Sequence, residues 1–250
     1  MSCLQILGTA GGRHEYTHFG QPGGSGNSSA LLNNCILFDT GPTVFKALEM
    51  IQSERSVKEI LMTHSHWDHF NTEVVYQLAE LNPDLRVSAS SVVLDQLDHR
   101  VRKRELKPGM TFETQSCRIT ALPANHAIAD HPEETPLHYL CETPQGTLLY
   151  ALDGAWMTTL AKRIIENHKL SVIVWDATCG SDDDWRMFEH NTPGMLILMR
   201  NALRELGVIS SETRMLLSHL ARFQLWDPES EKRIQSEGFE IAFDGMKVEF

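Results

Sequence analysis

The 250-residue chain has no uninterrupted apolar run near the roughly 18 to 20 residues that a membrane span requires. Its start, MSCLQILGTAGG, lacks the charged-then-apolar signature of a secretory signal. A cytoplasmic protein with no membrane partner is the expectation. Cysteine is scarce: Cys3, Cys35, Cys117, Cys141 and Cys179 are odd in number, widely spaced and without a CxxC pair, which argues against a disulfide framework and against a thiolate zinc knuckle. Positive charge is short too, with 22 Lys and Arg against 33 Asp and Glu for a net −11, so nucleic acids and anionic membranes are repelled at long range. The one basic cluster, residues 99–104 (HRVRKR), reads as a solvated helix face. No Pro/Gly/Ser-rich linker, low-complexity tract or repeat of 20 to 50 residues divides the chain, and one domain over residues 1–250 is expected.

What is present is a mixture of two periodicities. Short apolar runs bounded by turn residues read as strands: CLQILGT, SSALLNNCILFDTG, EILMTH, RVSAS, CRITALPA, LHYLCET, TLLYALDG, SVIVWDAT, RMLLSH and FEIAFDGMKVEF. Between them TVFKALEMIQ, NTEVVYQLAEL, MTTLAKRIIENH and GMLILMRNALREL have helical spacing, the last opened by Thr192-Pro193. The fold class is therefore α/β. Two halves resemble each other in outline, since EILMTH and RMLLSH end in histidine while CILFDTG and TLLYALDG end in or just after aspartate. Polar residues at the carboxyl ends of buried strands converge on one sheet edge, where α/β folds place their sites.

The strongest local feature is His64-Ser65-His66-Trp67-Asp68-His69, between the apolar strand EILM and the helix NTEVVYQLAEL. Four metal-competent side chains fall within six residues, and imidazole with carboxylate suits zinc, manganese or iron. His126 after ITALPAN, Asp153 after TLLYAL and His219 after RMLLS can complete a coordination sphere.

This pattern, HxHxDH followed by a distant His, an Asp and a second distant His, resembles the metallo-β-lactamase-fold superfamily, and Asp39 in ILFDTG matches its early structural aspartate. The resemblance implies an αβ/βα four-layer sandwich of two mixed sheets with outer helices. It also implies that His64, His66 and His126 hold one metal, that Asp68, His69 and His219 hold a second, and that Asp153 bridges them. Two divalent ions acidify a shared water and stabilise the charge of an in-line displacement, so hydrolysis is the expected reaction class. His66 and Asp68 depart from the HxExD pattern of the flavodiiron branch.

LGTAGG, GGSGNSSALL and the terminal GFEIAFDGMKVEF resemble the phosphodiesterase branch, which includes ribonuclease Z and the cyclic-phosphate phosphodiesterase of the carbon–phosphorus lyase pathway. The loop RHEYTHFGQPGG has no cysteine, so the latter enzyme's structural zinc is not expected here. His190 in FEHNT matches the position of the branch's catalytic histidine beyond the metal ligands and suits protonation of a leaving alkoxide. Asp68 is expected to shape the nucleophile besides binding metal. The glycines of LGTAGG and GGSGN can let backbone N–H groups approach a phosphate, or serve ordinary turns. Arg13, His14 and His18 are candidates for substrate contact, His131 and His138 for the pocket rim, and Trp67 and Trp185 for stacking surfaces. The expected enzyme is a dinuclear zinc or manganese phosphodiesterase acting on small anionic nucleotide or ribosyl phosphates, cyclic ones included. A homodimer is compatible with such a fold, and nucleic acid is disfavoured as a partner. Two other readings stand: a lactone or thioester hydrolase on the same metals, and a metal-binding protein without turnover.

Overall fold

The computed structural model describes residues 1–12, 19–21, 26–221 and 228–250. Its strands, in chain order, are β1 (Cys3–Gly8), β2 (Ser29–Leu32), β3 (Ile36–Phe38), β4 (Glu59–Leu61), β5 (Arg86–Ala89), β6 (Arg102–Glu105), β7 (Thr111–Glu113), β8 (Arg118–Pro123), β9 (Leu137–Glu142), β10 (Thr147–Ala151), β11 (Val172–Asp176), β12 (Arg214–Ser218), β13 (Glu240–Ile241) and β14 (Lys247–Glu249). The helices are α1 (Val44–Met50), α2 (Thr72–Leu81), α3 (Ser91–Asp95), α4 (Thr159–Ile165), α5 (Pro193–Glu205) and α6 (Pro228–Ser236). Among the described residues no helix is long and apolar enough to cross a membrane.

Two units emerge from the packing. The first comprises Met1–Lys107, Ile128–Leu137 and Phe243–Glu249; the second comprises Pro108–Ala127, His138–Ala242 and Phe250. The first carries a sheet ordered β14-β1-β2-β3-β4-β5-β6, in which β14, β1, β2 and β3 pair antiparallel and β3, β4, β5 and β6 pair parallel. The second carries β13-β12-β11-β10-β9-β8-β7, with antiparallel β7/β8 and β9/β10 pairs and parallel β10 to β13. Both sheets are thus mixed, and each has helices packed on it, as the α/β pattern predicts.

Burial explains why the strands read as unbroken apolar runs. In the first unit Leu31, Leu37, Ile60 and Val87 lie across neighbouring strands and pack with Val44, Ala47 and Leu48 of α1 and Val74, Val75 and Leu78 of α2. The alternate residues Leu4, Leu32, Ile36, Phe38 and Leu61 are buried as well, so both sheet faces are covered. The second unit repeats the arrangement, with Leu149, Ile173, Trp175 and Leu217 against Ala161 and Ile165 of α4 and Leu196, Met199 and Leu203 of α5. Caps set the helix starts: Asn71 Oδ1 accepts from the Glu73 and Val74 amides, and Thr192 Oγ1 accepts from the Met195 amide ahead of Pro193.

Three readings from sequence need correction. The basic run 99–104 is no helix face: Arg102, Lys103 and Arg104 lie on β6, the last strand of its sheet. There Arg102 pairs with Asp84, Arg104 with the Glu59 carboxylate, and Lys103 Nζ donates to the Leu94 and Leu97 carbonyls at the end of α3. The parallel pairing with β5 supplies backbone bonds that a helix would have replaced. SSALLNNCILFDTG is two strands, because Asn33 and Asn34 both adopt left-handed φ and turn the chain. FEIAFDGMKVEF also splits, with β13 in the second unit and β14 in the first.

The three glycine-bearing motifs prove to be one structural unit. The buried Asp244 of FDGM accepts from Thr9 Oγ1 at 2.8 Å and from the Gly26 amide at 2.7 Å, tying LGTAGG to the segment before Asn27. A Cβ at Gly8 would stand 2.0 Å from the Asn27 carbonyl oxygen, so only glycine lets these backbones approach. Asp244→Ala strips a buried pair of donors of their acceptor and is expected to lower unfolding free energy by roughly 2–4 kcal/mol in urea titration, with the m-value unchanged.

Candidate metal centre

Most of the metal-competent side chains follow the carboxyl ends of strands. In the first unit β3 leads to Asp39, and β4 to Thr63, His64, His66, Asp68 and His69. In the second, β8 leads to His126, β10 to Asp153, β11 ends at Asp176, and β12 leads to His219. Asp39, Asp153 and His219 share a left-handed backbone, with φ of 60°, 54° and 58°. Such a conformation costs non-glycine residues roughly 1–3 kcal/mol, and strain of this kind gathers where surrounding structure must hold a side chain for function.

Within the first unit a hydroxyl and a carboxylate set the imidazoles. Asp39, fully buried, accepts from the Thr63 amide at 2.7 Å, from Thr63 Oγ1 at 2.9 Å and from His69 Nδ1 at 2.8 Å. Burial raises its carboxyl above the ordinary range, although the charge and hydrogen bond of His69 and the bonds from Thr63 pull the other way. Thr63 Oγ1 has one proton, which it gives to Asp39, so it accepts from His64 Nδ1 at 2.9 Å. Both His64 and His69 are thereby protonated on Nδ1, with the lone pair on Nε2, the state a metal ligand needs. His64 Nε2 lies 3.0 Å from His66 Nδ1, and Asp68 Oδ2 lies 3.9 Å from His69 Nε2. The Gly12 amide donates to Asp68 Oδ2 at 2.8 Å, so this glycine of LGTAGG holds the Asp68 carboxylate. A Cβ at Gly41 would stand 2.1 Å from the Asp68 carbonyl oxygen, which reserves that position too. Glu134 anchors the same loop from beneath, accepting from Ser65 Oγ and, at 2.8 Å, from Ser90 Oγ.

The second unit uses the same device. Thr178 Oγ1 donates to the His219 carbonyl at 2.9 Å and accepts from His219 Nδ1 at 2.7 Å, placing the His219 lone pair on Nε2. Asp153 Oδ1 lies 2.9 Å from His219 Nδ1, and Asp153 Oδ2 lies 3.8 Å from His126 Nε2. His190 Nδ1 meets Asp176 Oδ2 at 2.7 Å, and Asp176 also accepts from the Gly154 and Thr178 amides at 3.1 and 2.8 Å. Burial alone would lower the His190 imidazole; the charge and hydrogen bond of Asp176, with Asp153, outweigh it and raise the value above that of free histidine. Burial correspondingly raises Asp176, and His190 and His219 bring it net below the usual carboxylate value. One donor atom each of Asp153, Asp176, His190 and His219 lie within 4.8 Å of one another. Imidazole nitrogens and carboxylates with no thiolate fit zinc or manganese.

Asp176 escaped the sequence reading although it ends an apolar strand as Asp153 nearly does; the strand-end rule that found one would have found the other. His138 is no rim residue. It sits 5% exposed behind Asp153, its Nε2 3.4 Å from the Asp153 carbonyl, and its ring fills the space beside Gly154. His131 is half-exposed and pairs with Glu133. Arg13, His14 and His18 lie outside the described residues.

Two measurements follow. Thr63→Val keeps the shape but removes the hydroxyl between Asp39 and His64, and is expected to weaken zinc binding in chelator competition by about 10–100-fold. Burial pushes the His138 imidazole down to about 4 from 6.5, so the unfolded chain takes up its proton first as pH falls. Stability from the neutral ring is complete above pH 6.5 and lost towards pH 4. Metal-free wild type should therefore lose about 3 kcal/mol more than His138→Phe over that interval in pH-dependent denaturation.

Comparison with known proteins agrees with this fold. The chain is 27% identical over 158 residues to ribonuclease Z of Oenococcus oeni (strain ATCC BAA-331 / PSU-1), a match spanning 51% of this chain and 46% of that protein. It superposes on the metallo-β-lactamase fold protein YhfI from Bacillus subtilis with a TM-score of 0.75 at 16% identity, covering 100% of this chain and 99% of that one. The zinc-bound PqqB from Methylobacterium extorquens gives a TM-score of 0.72 at 14% identity, covering 99% and 100%. These structures share the fold expected from sequence, two mixed sheets with helices in an αβ/βα sandwich. The pattern of the β-lactamase superfamily domain matches residues 34–220, well over half of the chain, which therefore belongs to the metallo-β-lactamase superfamily.

Proposed function

We propose that this chain is a metal-dependent phosphodiester hydrolase acting on small nucleotide or ribosyl phosphates, cyclic ones included. The observation that carries the reading is the 2.7 Å pairing of His190 Nδ1 with the buried Asp176 carboxylate, within a cluster of metal-competent side chains. An acyl hydrolase does not need a second, oriented histidine of this kind, whereas departure of an alkoxide from phosphorus calls for a proton donor. The relative named ribonuclease Z is by its name a nuclease, and RNA is a phosphodiester. The net charge of −11 favours a small substrate over a polyanion.

On this reading His64, His66 and His126 would hold one divalent ion and Asp68, His69 and His219 a second, with Asp153 as a ligand available to either. When bound, such ions supply Lewis acidity at the phosphoryl oxygens and acidify a water at neutral pH. Thr63, Asp39 and Thr178 keep the imidazoles of His64, His69 and His219 in the ligating tautomer. Asp176 holds His190 with its proton on Nδ1 and offsets the charge when Nε2 is protonated too. From Nε2 the proton passes to the leaving oxygen, and Asp176 stays ionised throughout. Asp68, whose Oδ2 accepts from the Gly12 amide, would bind metal and accept a proton from water.

The test is hydrolysis of a bis-aryl phosphodiester by chelated protein reloaded with zinc or manganese, beside a lactone and a thioester. Metal-restored phosphodiester cleavage is expected. His190→Ala should lower its kcat about 10²–10⁴-fold with metal content unchanged. Cleavage of the acyl substrates alone, untouched by His190→Ala, would assign the site to acyl transfer instead.

A further inference from the structure

The second unit displays exposed aromatic side chains on the segments hydrogen-bonded around His190 and Asn191. Trp185 is 79% exposed, Phe188 81% and Trp156 42%. Exposed apolar residues scattered singly are ordinary, whereas several gathered on one face mark binding sites. All three residues are tied to the chain around His190. The Glu189 and His190 amides both donate to the Arg186 carbonyl at 2.9 Å, and the Trp156 amide donates to Asn191 Oδ1 at 2.8 Å. Asn191 Nδ2 returns a bond to the Gly154 carbonyl at 2.9 Å.

Trp185–Phe188 is a single 3₁₀ turn. Residues three apart eclipse in that geometry, so the indole of Trp185 and the phenyl of Phe188 stand on one side of the turn. The turn is clamped at its start, where Asp184 accepts from the Arg186 amide and Nε, each at 3.0 Å, and ion-pairs with its guanidinium. Trp156 holds a left-handed backbone, φ 57°, which a bulky side chain rarely adopts. The charge around the rings is negative: Asp182 pairs with Arg233 and Asp184 with Arg186, but Asp183 and Glu189 make no ion pair among the described residues. That environment repels further phosphates and accepts a neutral ring.

Resting on the phosphodiesterase reading, we propose that Trp185 and Phe188, with Trp156 anchored to the same segment, form a stacking platform for an aromatic ring carried by the substrate's leaving alcohol. Nucleoside phosphodiesters are then preferred to alkyl or sugar ones. His190 serves the leaving oxygen, and the platform two to five residues before it receives the ring attached to that alcohol.

The experiment compares adenosine 2′,3′-cyclic phosphate with glycerol 1,2-cyclic phosphate, which presents the same strained ester without a ring. Metal-loaded wild type, Trp185→Ala/Phe188→Ala and Trp185→Phe are assayed on both. The double variant should raise KM for the adenosine ester about tenfold or more, leaving kcat within about twofold and the glycerol ester unaffected. Trp185→Phe, which keeps a ring, should restore most of the binding. Unchanged kinetics on the adenosine ester, or equal losses on both esters, overturn the platform while leaving the hydrolase reading intact. A change of oligomeric state in the double variant with unchanged kinetics assigns the aromatic face to subunit contact and likewise overturns it. If wild type cleaves neither ester while hydrolysing a lactone or thioester, the phosphodiesterase reading itself fails, and the platform with it.

Discussion

The carboxylate of Asp39 is the constraint on which the metal-competent cluster of the first unit depends. Among the described residues no Lys or Arg pairs with it, and its burial is tolerated because the Thr63 amide, the Thr63 hydroxyl and His69 Nδ1 all donate to it. A buried charge satisfied in this way is expensive to disturb, and its cost enforces one arrangement of protons. The hydroxyl spends its proton on Asp39 and must accept from His64, so a single carboxylate determines the tautomer of two imidazoles. Metal chemistry is prepared by these neighbours before any ion arrives.

The second unit reaches the same end by the same device. Thr178 takes the part of Thr63, giving its proton to a backbone carbonyl and accepting from His219 Nδ1. Asp176, held by two backbone amides, orients His190 as Asp39 orients His69. The two sheets share one succession of pairings, antiparallel strands followed by parallel ones; Asp39, His64, Asp153, Asp176 and His219 lie at or after strand ends in the parallel part, while His126 follows the antiparallel β8. At those ends Asp39, Asp153 and His219 all accept a left-handed backbone, strain that the hydrogen bonds around them sustain.

Glycine has three different duties here, and only one concerns the site directly. Gly8 makes room for the Asn27 backbone, Gly41 makes room for the Asp68 carbonyl, and the Gly12 amide holds the Asp68 carboxylate. Asp244 joins the terminal FDGM to Thr9 and Gly26, residues 235 and 218 positions away in the chain. In LGTAGG, whose glycines the sequence left open to phosphate approach or to ordinary turns, Gly8 lets backbones pack and the Gly12 amide aims a carboxylate.

Strand and helix types were legible in the chain because burial on both faces turns strands such as VIVWD into apolar runs, and because Asn71 and Thr192 announce their helices. The family and its metal-competent set were legible because HxHxDH concentrates four such side chains in one short loop. The basic run 102–104 was not: charge alone cannot distinguish a solvated helix from an edge strand, and the parallel pairing with β5 decided it. Nor could spacing reveal Asp176 behind His190, Thr178 behind His219, or Glu134 beneath Ser65, since each pair is joined by bonds between residues 14 to 69 apart. Sequence by itself determined which side chains can do chemistry and which segments are strands, because both are properties of residue type and local period. Tertiary structure alone decided their protonation and orientation, because those depend on donors and acceptors that meet only once the sheets have formed.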